Sequence, residues 1–500
     1  MDNPIKQTLL ARVYDVAIES PLELAAKLSG QLGGSVYLKR EDLQPVHSFK
    51  LRGAYNKMAQ LTKTERERGV IAASAGNHAQ GVALSAKKLG LSALIVMPLT
   101  TPTIKIDAVK AWGAEVELAG DSYSDAADHC KKRQKETGRT YIHPFDDPLV
   151  ISGQGTVGRE IMEQLPATTH IFVPVGGGGL IAGIAQYVKA LQPGVKIISV
   201  EPEDSNIMQV SMRAGKRVTL PHVGIFADGV AVKQMGEHTF TICRELVDEC
   251  MTVTTDELCA AMKAVFEETR SIVEGAGALG TAGIQKYAAT HDMTDVHAVA
   301  ICSGANISFE RLQFVAERTL LGSHKEALFA ITMPEQAGAL QDFCDHVING
   351  HNITQFGYRL NKRDAAHVLV GISTAGADDV KHFEAKMKQR GYAYHDLSAE
   401  DTAKEHIRHM IGGPAPLALH ERFYQVNFPE RPGALHDFLK ATAQQWNISL
   451  FHYRGQGSDI GNVLVGFEAK DSAQLEKALQ QTGYEYSNVS DDASLRLFAI

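Results

Sequence analysis

The sequence has 500 residues, 44% of them hydrophobic and 22% charged, with a formal net charge of −8; this is the profile of a globular chain with more than one domain. The acidic balance, with no long basic run, argues against nucleic acid or an anionic membrane surface as a partner, and no apolar window approaches the roughly 18 residues of a membrane span. Residues 1–17 hold no apolar core of signal-peptide length, and the six cysteines (130, 243, 250, 259, 302, 344) include no Cys-x-x-Cys pair, so a cytoplasmic chain with neither a disulfide framework nor a metal site is expected.

In chain order, the first 320 residues alternate strand-like and helix-like segments. Val36-Tyr37-Leu38 reads as a strand leading into Ser48-Phe49-Lys50-Leu51-Arg52-Gly53-Ala54, with an amphipathic helix over Arg52 to Leu61. Val70 to Ser74 is a short apolar run, and Asn77 to Leu89 reads as a helix ended by Gly90. Ala93 to Met97 is a strand stopped by Pro98, and Thr103 to Trp112 is a helix closed by Gly113. Val116 to Leu118 and Thr140 to Ile142 read as strands on either side of a helix from Ser124 to Thr137. Ile171 to Val175 and Lys196 to Val200 are strands around a helix from Leu180 to Leu191, and Val296 to Cys302 is a further apolar run. Strands so continuously apolar, separated by helices, argue for buried parallel sheets. In such sheets ligands bind beyond the carboxyl ends of strands, where Ser74, Gly176 and Ser303 fall.

The last third carries an internal repeat at a constant offset of 95 residues. Phe329 to Leu340 matches Tyr424 to Leu435, Asn352-Ile353 matches Asn447-Ile448, and Phe356, Tyr358 and Arg359 match Phe451, Tyr453 and Arg454. Each copy starts with an alternating strand, breaks at Pro-Glu and enters a helix after a glycine. The period is too long for a solenoid, so two α+β modules are expected, joined near Gly412-Gly413-Pro414. The expected division is 1–320 with a smaller subdomain around 42–142, then 321–413 and 414–500.

Four segments carry chemistry. Lys50 follows an aromatic residue at a helix start; a lysine nucleophile must shed its proton, which burial favours, although a solvated helix lysine is the commoner case. Ser74-Ala75-Gly76-Asn77-His78 joins a strand to a helix, where exposed N–H groups suit a carboxylate and where ordinary capping is an equal reading. Gly176-Gly177-Gly178-Gly179-Leu180 places four glycines between an apolar strand and an apolar helix, and close backbone approach to a phosphate explains that run. It matches neither the Walker nor the dinucleotide spacing. Cys302-Ser303-Gly304-Ala305-Asn306 ends the last apolar run; Ser303 suits either a ligand heteroatom or a cap for a helix from Ile307.

Together, in order and spacing, these segments resemble the fold type II enzymes that use pyridoxal phosphate (PLP), and the doubled C-terminal module narrows the resemblance to the biosynthetic threonine dehydratases. It implies two open parallel-sheet α/β subdomains followed by two ACT-like, ferredoxin-like α+β regulatory domains. It implies PLP held through the Lys50 amine, Phe49 against the ring, Asn77 at the ring hydroxyl, Gly176, Gly177, Gly178, Gly179 and Leu180 at the phosphate, and Ser303 at the pyridine nitrogen. Ser74, Gly76 and Asn77 would take the substrate carboxylate, with L-threonine, and L-serine as an alternative, dehydrated and deaminated to the 2-oxo acid. The resemblance further implies a homotetramer, inhibition by isoleucine and antagonism by valine, with Glu335, Gln336, Gly338, Leu340 and Tyr358 as effector candidates. Serine dehydratase, serine racemase and threonine synthase carry the same four segments. Outside the enzymes, an amino acid sensor with an inert PLP half is the alternative; intact Lys50, glycine run and Ser303 argue against it.

Overall fold

The computed structural model describes residues 4–322, 325–334, 342–348, 351–358, 365–409, 420–429, 434–442, 445–454 and 460–498. The chain divides into two compact units, Met1–Phe309 and Glu310–Ile500. The first holds two sheets. One has six strands in the spatial order Leu22–Leu24, Ser35–Arg40, His297–Cys302, His170–Pro174, Lys196–Pro202 and Glu249–Val253. The other has four, in the order Glu115–Leu118, Ala93–Met97, Val70–Ala73 and Thr140–Tyr141. All pairings in the small sheet are parallel. Ile171, Phe172 and Val173 are fully buried, as are Val70, Ile71, Ala72 and Ala73, because helices cover both faces and leave no solvent side to alternate against.

The wholly parallel expectation fails at one place: Leu22–Leu24 runs antiparallel to Ser35–Arg40. At three residues and half-exposed, it closes an edge of the sheet, the position where an antiparallel strand is tolerated.

The helix after Phe49 is Lys50–Ala59, so the lysine itself begins it, two residues earlier than its periodicity suggests. It packs close to two neighbours. A Cβ on Gly53 would lie 2.7 Å from the Val150 carbonyl oxygen, and one on Gly153 would lie 2.7 Å from Gly53 Cα. These glycines let the backbones of Lys50–Ala59 and Pro148–Gln164 approach more nearly than any side chain permits. Arg52 pins the same helix from its other side. Its guanidinium donates to Glu41 at 2.7 and 2.8 Å and to Glu160 at 2.5 and 3.0 Å, all with no exposure, and Lys39 reaches Glu160 at 2.6 Å. Burial works against the guanidinium charge, but the two carboxylates outweigh it and hold Arg52 well above its usual range.

The second unit contains two four-stranded antiparallel sheets with the same strand order. The 95-residue offset holds at the level of hydrogen bonding. Glu326–Pro334 and Ala365–Ser373 correspond to Glu421–Pro429 and Ile460–Glu468. Phe329 faces Val370 as Tyr424 faces Val465, and the register shift at Ile353/Gln355 recurs at Ile448/Leu450. One face of each sheet packs under its own helices: Phe329, Ile331, Val370 and Phe383 in the first copy, Tyr424, Val426, Phe438 and Val465 in the second. The alternate residues Leu328, Ala330 and Leu369 join Phe423 and Leu464 in a third cluster. Period-two alternation thus turns one set of side chains inward and the other toward the sister copy, which explains why the module comes as a pair.

Candidate active site

Both sheets of the first unit reverse their winding beside the strands that carry the motifs. His170–Pro174 and His297–Cys302 are parallel neighbours, and Val70–Ala73 lies between Ala93–Met97 and Thr140–Tyr141. The crevices outside the carboxyl ends of these strands are the sites such sheets provide for ligands, and the four segments emerge there.

The lysine segment is stitched to the serine segment. Ser48 bridges Gly304, the Phe49 amide donates to the Ser303 carbonyl at 3.3 Å, and the Ala305 amide donates to the His47 carbonyl at 2.9 Å. Lys50 Nζ donates to the Pro144 carbonyl at 3.2 Å. Burial pulls this amine from 10.5 down to about 8, and the Glu274 carboxylate acts in the opposite sense. Two histidines near it are neutral. Burial, then the Lys50 charge, pushes His78 down to about 3, and its Nε2–H donates to the Ile142 carbonyl at 2.8 Å. His143 is also lowered, by burial first; its Nδ1 accepts from the amides of Phe145 and Asp146 at 3.2 and 2.7 Å.

Phe145, next after Pro144, seats the glycine run. A side chain on Gly177 would run into the Phe145 ring, and one on Gly179 would come within 2.9 Å of Phe145 Cβ. Gly178 has φ of 91°, a conformation in which glycine is at ease. Thr239 Oγ1 donates to the Gly177 carbonyl at 2.7 Å. Lys50 and the glycine turn therefore both meet the Pro144-Phe145 segment.

The helices aimed into this region leave their first amides open. Asn77–Leu89, Gly179–Leu191 and Gly275–Ala288 have no side-chain cap, their N-cap residues being Gly76, Gly178 and Glu274. Away from it, Lys63–Arg68, Tyr123–Thr137 and Thr255–Thr269 each carry a capping box. Uncapped helix starts present unpaired N–H groups and the positive end of the helix dipole, an environment for phosphate and carboxylate. The capping alternative for Ser74 and Asn77 accordingly falls away. Ser74 Oγ accepts from the Gly76 amide at 3.2 Å, and the Asn77 amide bonds to Glu274 and Asn306. Ser303 is no helix cap either, since the next helix starts only at Arg311. Its hydroxyl, buried, donates to the Ala276 carbonyl at 3.2 Å.

A family model described as pyridoxal-phosphate dependent enzyme matches residues 13–304. One described as the C-terminal regulatory domain of threonine dehydratase matches residues 317–407 and 416–499. Over 500 residues the chain is 51% identical to the biosynthetic L-threonine dehydratase IlvA of Burkholderia multivorans, covering 99% of this chain and 98% of that protein. The chain belongs to the biosynthetic threonine dehydratase family. To the chloroplastic biosynthetic threonine dehydratase of Arabidopsis thaliana it is 51% identical, covering 98% of this chain and 83% of that protein. The processed form of threonine deaminase isoform 2 from Solanum lycopersicum superposes with a TM-score of 0.63 at 51% identity, over 64% of this chain and 88% of that one. Maize serine racemase gives a TM-score of 0.59 at 33% identity, over 64% and 98%.

Like its family, the chain is a PLP-dependent enzyme, and the residues present fit that group. An amine held partly unprotonated by burial suits an aldehyde, and a bare-backbone turn at an open helix start suits a phosphate. Phe49 is buried in the same apolar cluster as Val175 and Leu180. Glu274 and the Pro144-Phe145 peptide escape sequence reading: Glu274 bonds to Asn77, and the peptide touches both Lys50 and the glycines. Of these two only Glu274 carries a local signal, the small-residue helix start Glu274-Gly275-Ala276-Gly277-Ala278. Asn306, read only as the end of its segment, bonds to Asn77 as well. Of the effector candidates, Glu335, Gln336, Gly338 and Leu340 lie outside the described residues; Tyr358 ends the strand Ile353–Tyr358.

Proposed function

We propose that this chain converts L-threonine to 2-oxobutanoate and ammonia by PLP-dependent dehydration and deamination, as the committed step of isoleucine biosynthesis. The observation that carries the reading is the Lys50 amine, depressed to about 8, on the same Pro144-Phe145 segment as the glycine turn, in a chain matched end to end by dehydratases. Lys50 would hold PLP through its amine, and the same amine, when free, would take the substrate Cα proton as general base. Bound PLP supplies the electron sink that acidifies that C–H bond. Gly176, Gly177, Gly178, Gly179 and Leu180 hold the phosphate, Phe49 packs on the ring and Asn77 meets the ring hydroxyl. Ser74, Gly76 and Asn77 take the substrate carboxylate. Ser303 faces the pyridine nitrogen, and its hydroxyl can turn its proton from the Ala276 carbonyl to a ligand acceptor. A neutral partner there favours prompt elimination over transamination; an unchanged ratio of the two in Ser303→Asp counts against that role.

The regulatory domains take isoleucine as inhibitor and valine as its antagonist, with the turns around Glu335 to Leu340 and Tyr358 as the first binding candidates, in a cytoplasmic homotetramer. Coupling requires that isoleucine bind two states unequally. The likeness to serine racemase keeps serine chemistry as the competing reading for the first unit. A coupled assay comparing 2-oxobutanoate from threonine with pyruvate from serine decides it: faster turnover of threonine, inhibited by isoleucine, is the expected result. A chain cut after about residue 325 should keep PLP and lose the inhibition, and retained inhibition would refute the assignment of the effector site.

A further inference from the structure

Asn77 is gripped from both sides. Its Nδ2 donates to Glu274 Oε1 at 2.6 Å, and its Oδ1 accepts from Asn306 Nδ2 at 2.5 Å. Asn306 Nδ2 also donates to the Val46 carbonyl at 2.9 Å. Both ends of this chain are groups that can only accept, a backbone carbonyl and a carboxylate. Flipping either amide would set acceptor against acceptor, so the direction of every bond is determined from two ends. An amide nitrogen has two protons; one is committed to Glu274, which leaves the second for a ligand.

Glu274 is built for this contact. It occupies the N-cap position of Gly275–Ala288 and makes no side-chain bond to that helix's first amides. It is 4% exposed, and its own amide donates to the Gly304 carbonyl at 3.1 Å. Gly304 makes room for it: a Cβ at that position would lie 2.6 Å from Glu274 Oε1.

We propose that Glu274 and Asn306 are positioning residues that lock the Asn77 amide with its second Nδ2 proton directed to the ring hydroxyl of the cofactor. The proposal rests on the reading that Asn77 meets PLP. Its test uses the full-length protein reconstituted with PLP, with the dissociation constant and the position of the visible band read for each variant. Glu274→Ala should weaken PLP by about 10-fold or more and move the band, the loss expected when a charge-assisted hydrogen bond is removed. Glu274→Gln, which keeps an acceptor of the same reach, should return to within about 3-fold of the parent. In an Asn77→Ala background the further change Glu274→Ala should have no more than about a 2-fold effect, since a residue acting through another couples to it. Should Glu274→Ala fail to fold, Asn306→Ala serves in the same cycle, with the same expected disappearance. A Glu274 or Asn306 variant with the parent's affinity and spectrum overturns the proposal, as does an undiminished effect in the Asn77→Ala background. If Asn77→Ala alone changes nothing, the underlying reading of Asn77 falls instead, and the proposal with it.

Discussion

Lys50 and Arg52 stand two residues apart on one helix, in one seven-residue motif, and their surroundings give them opposite chemistry. Arg52 meets two carboxylates, each bonded twice, and Thr156 Oγ1 at 3.0 Å besides; its charge is locked in place. Lys50 meets a backbone carbonyl at 3.2 Å and two neutral histidines, while the Glu274 carboxylate spends a bond on Asn77. Desolvation acts on both cations; two hydrogen-bonded carboxylates overcome it at Arg52, and the charge of Glu274 alone does not at Lys50. The lesson is that the two basic residues of the motif divide the labour: one holds the helix so that the other can release a proton.

Removing Lys50 should give the largest effect. Lys50→Ala is expected to lose at least about 10³-fold in kcat, the scale of a combined nucleophile and general base. It should also lose the visible absorbance, which borohydride abolishes in the parent while leaving a covalent label on residue 50, and its thermal transition should stay. Substantial turnover in that variant would dissolve the contrast with Arg52.

Arg52→Leu tests the other side. It leaves Glu41 without its buried cation and Glu160 with Lys39 alone, and breaking a buried pair by removing one partner costs about 3–5 kcal/mol. We expect the loss in the unfolding transition of the first unit, followed by urea titration, and not in the borohydride labelling of the molecules that remain folded. A variant as stable as the parent would mean that the network is ornamental.

Gly177 separates two explanations of the glycine run. Gly177→Ala should weaken PLP by about 10-fold, since forcing a methyl into a filled position typically disturbs about 1–3 kcal/mol of packing. Phe145→Ala added to it clears the steric obstacle. Recovery of PLP affinity in the double variant assigns the glycine to the Phe145 ring; no recovery assigns it to the phosphate.

These tests also mark what the residues disclose by themselves. Lys50, the glycine run and the strand ends were legible because glycine, proline and apolar runs punctuate a chain locally. The repeat was legible as one α+β module used twice; its strand pairing was not, although the same spacing imposes the same register in both copies. Periodicity does not find the helix Pro148–Gln164, although Asp147 caps it and Pro148 starts it, because Gly153, Gly155 and Gly158 look like loop residues. They are close-packing residues: Gly153 lies against Gly53, and a Cβ on Gly158 would be 3.2 Å from Ile184 Cα. The bonds from Glu274 and Asn306 to Asn77 are illegible for another reason. Asn306 stands in a segment the sequence singles out and Glu274 opens a small-residue helix, but Asn77 is 197 and 229 positions from them, and no local pattern encodes such a pair.

The finest prediction concerns protons. In the full-length protein without cofactor, Lys50 is depressed from 10.5 to about 8, so the folded state gives up its proton earlier than the unfolded chain does. Below about 8 both states hold it and the burial penalty is present in full; between about 8 and 10.5 the unfolded chain binds more protons, and stability rises with pH. The amine should therefore react with an acylating reagent with a midpoint near pH 8, read by mass spectrometry of the Lys50 peptide, while exposed lysines on the same protein follow a midpoint near 10. Glu274→Gln should lower the Lys50 midpoint, because that carboxylate is the group resisting the depression. A Lys50 that titrates with the exposed lysines would show that its amine is as well paired as the guanidinium of Arg52, and the contrast along this helix would be lost.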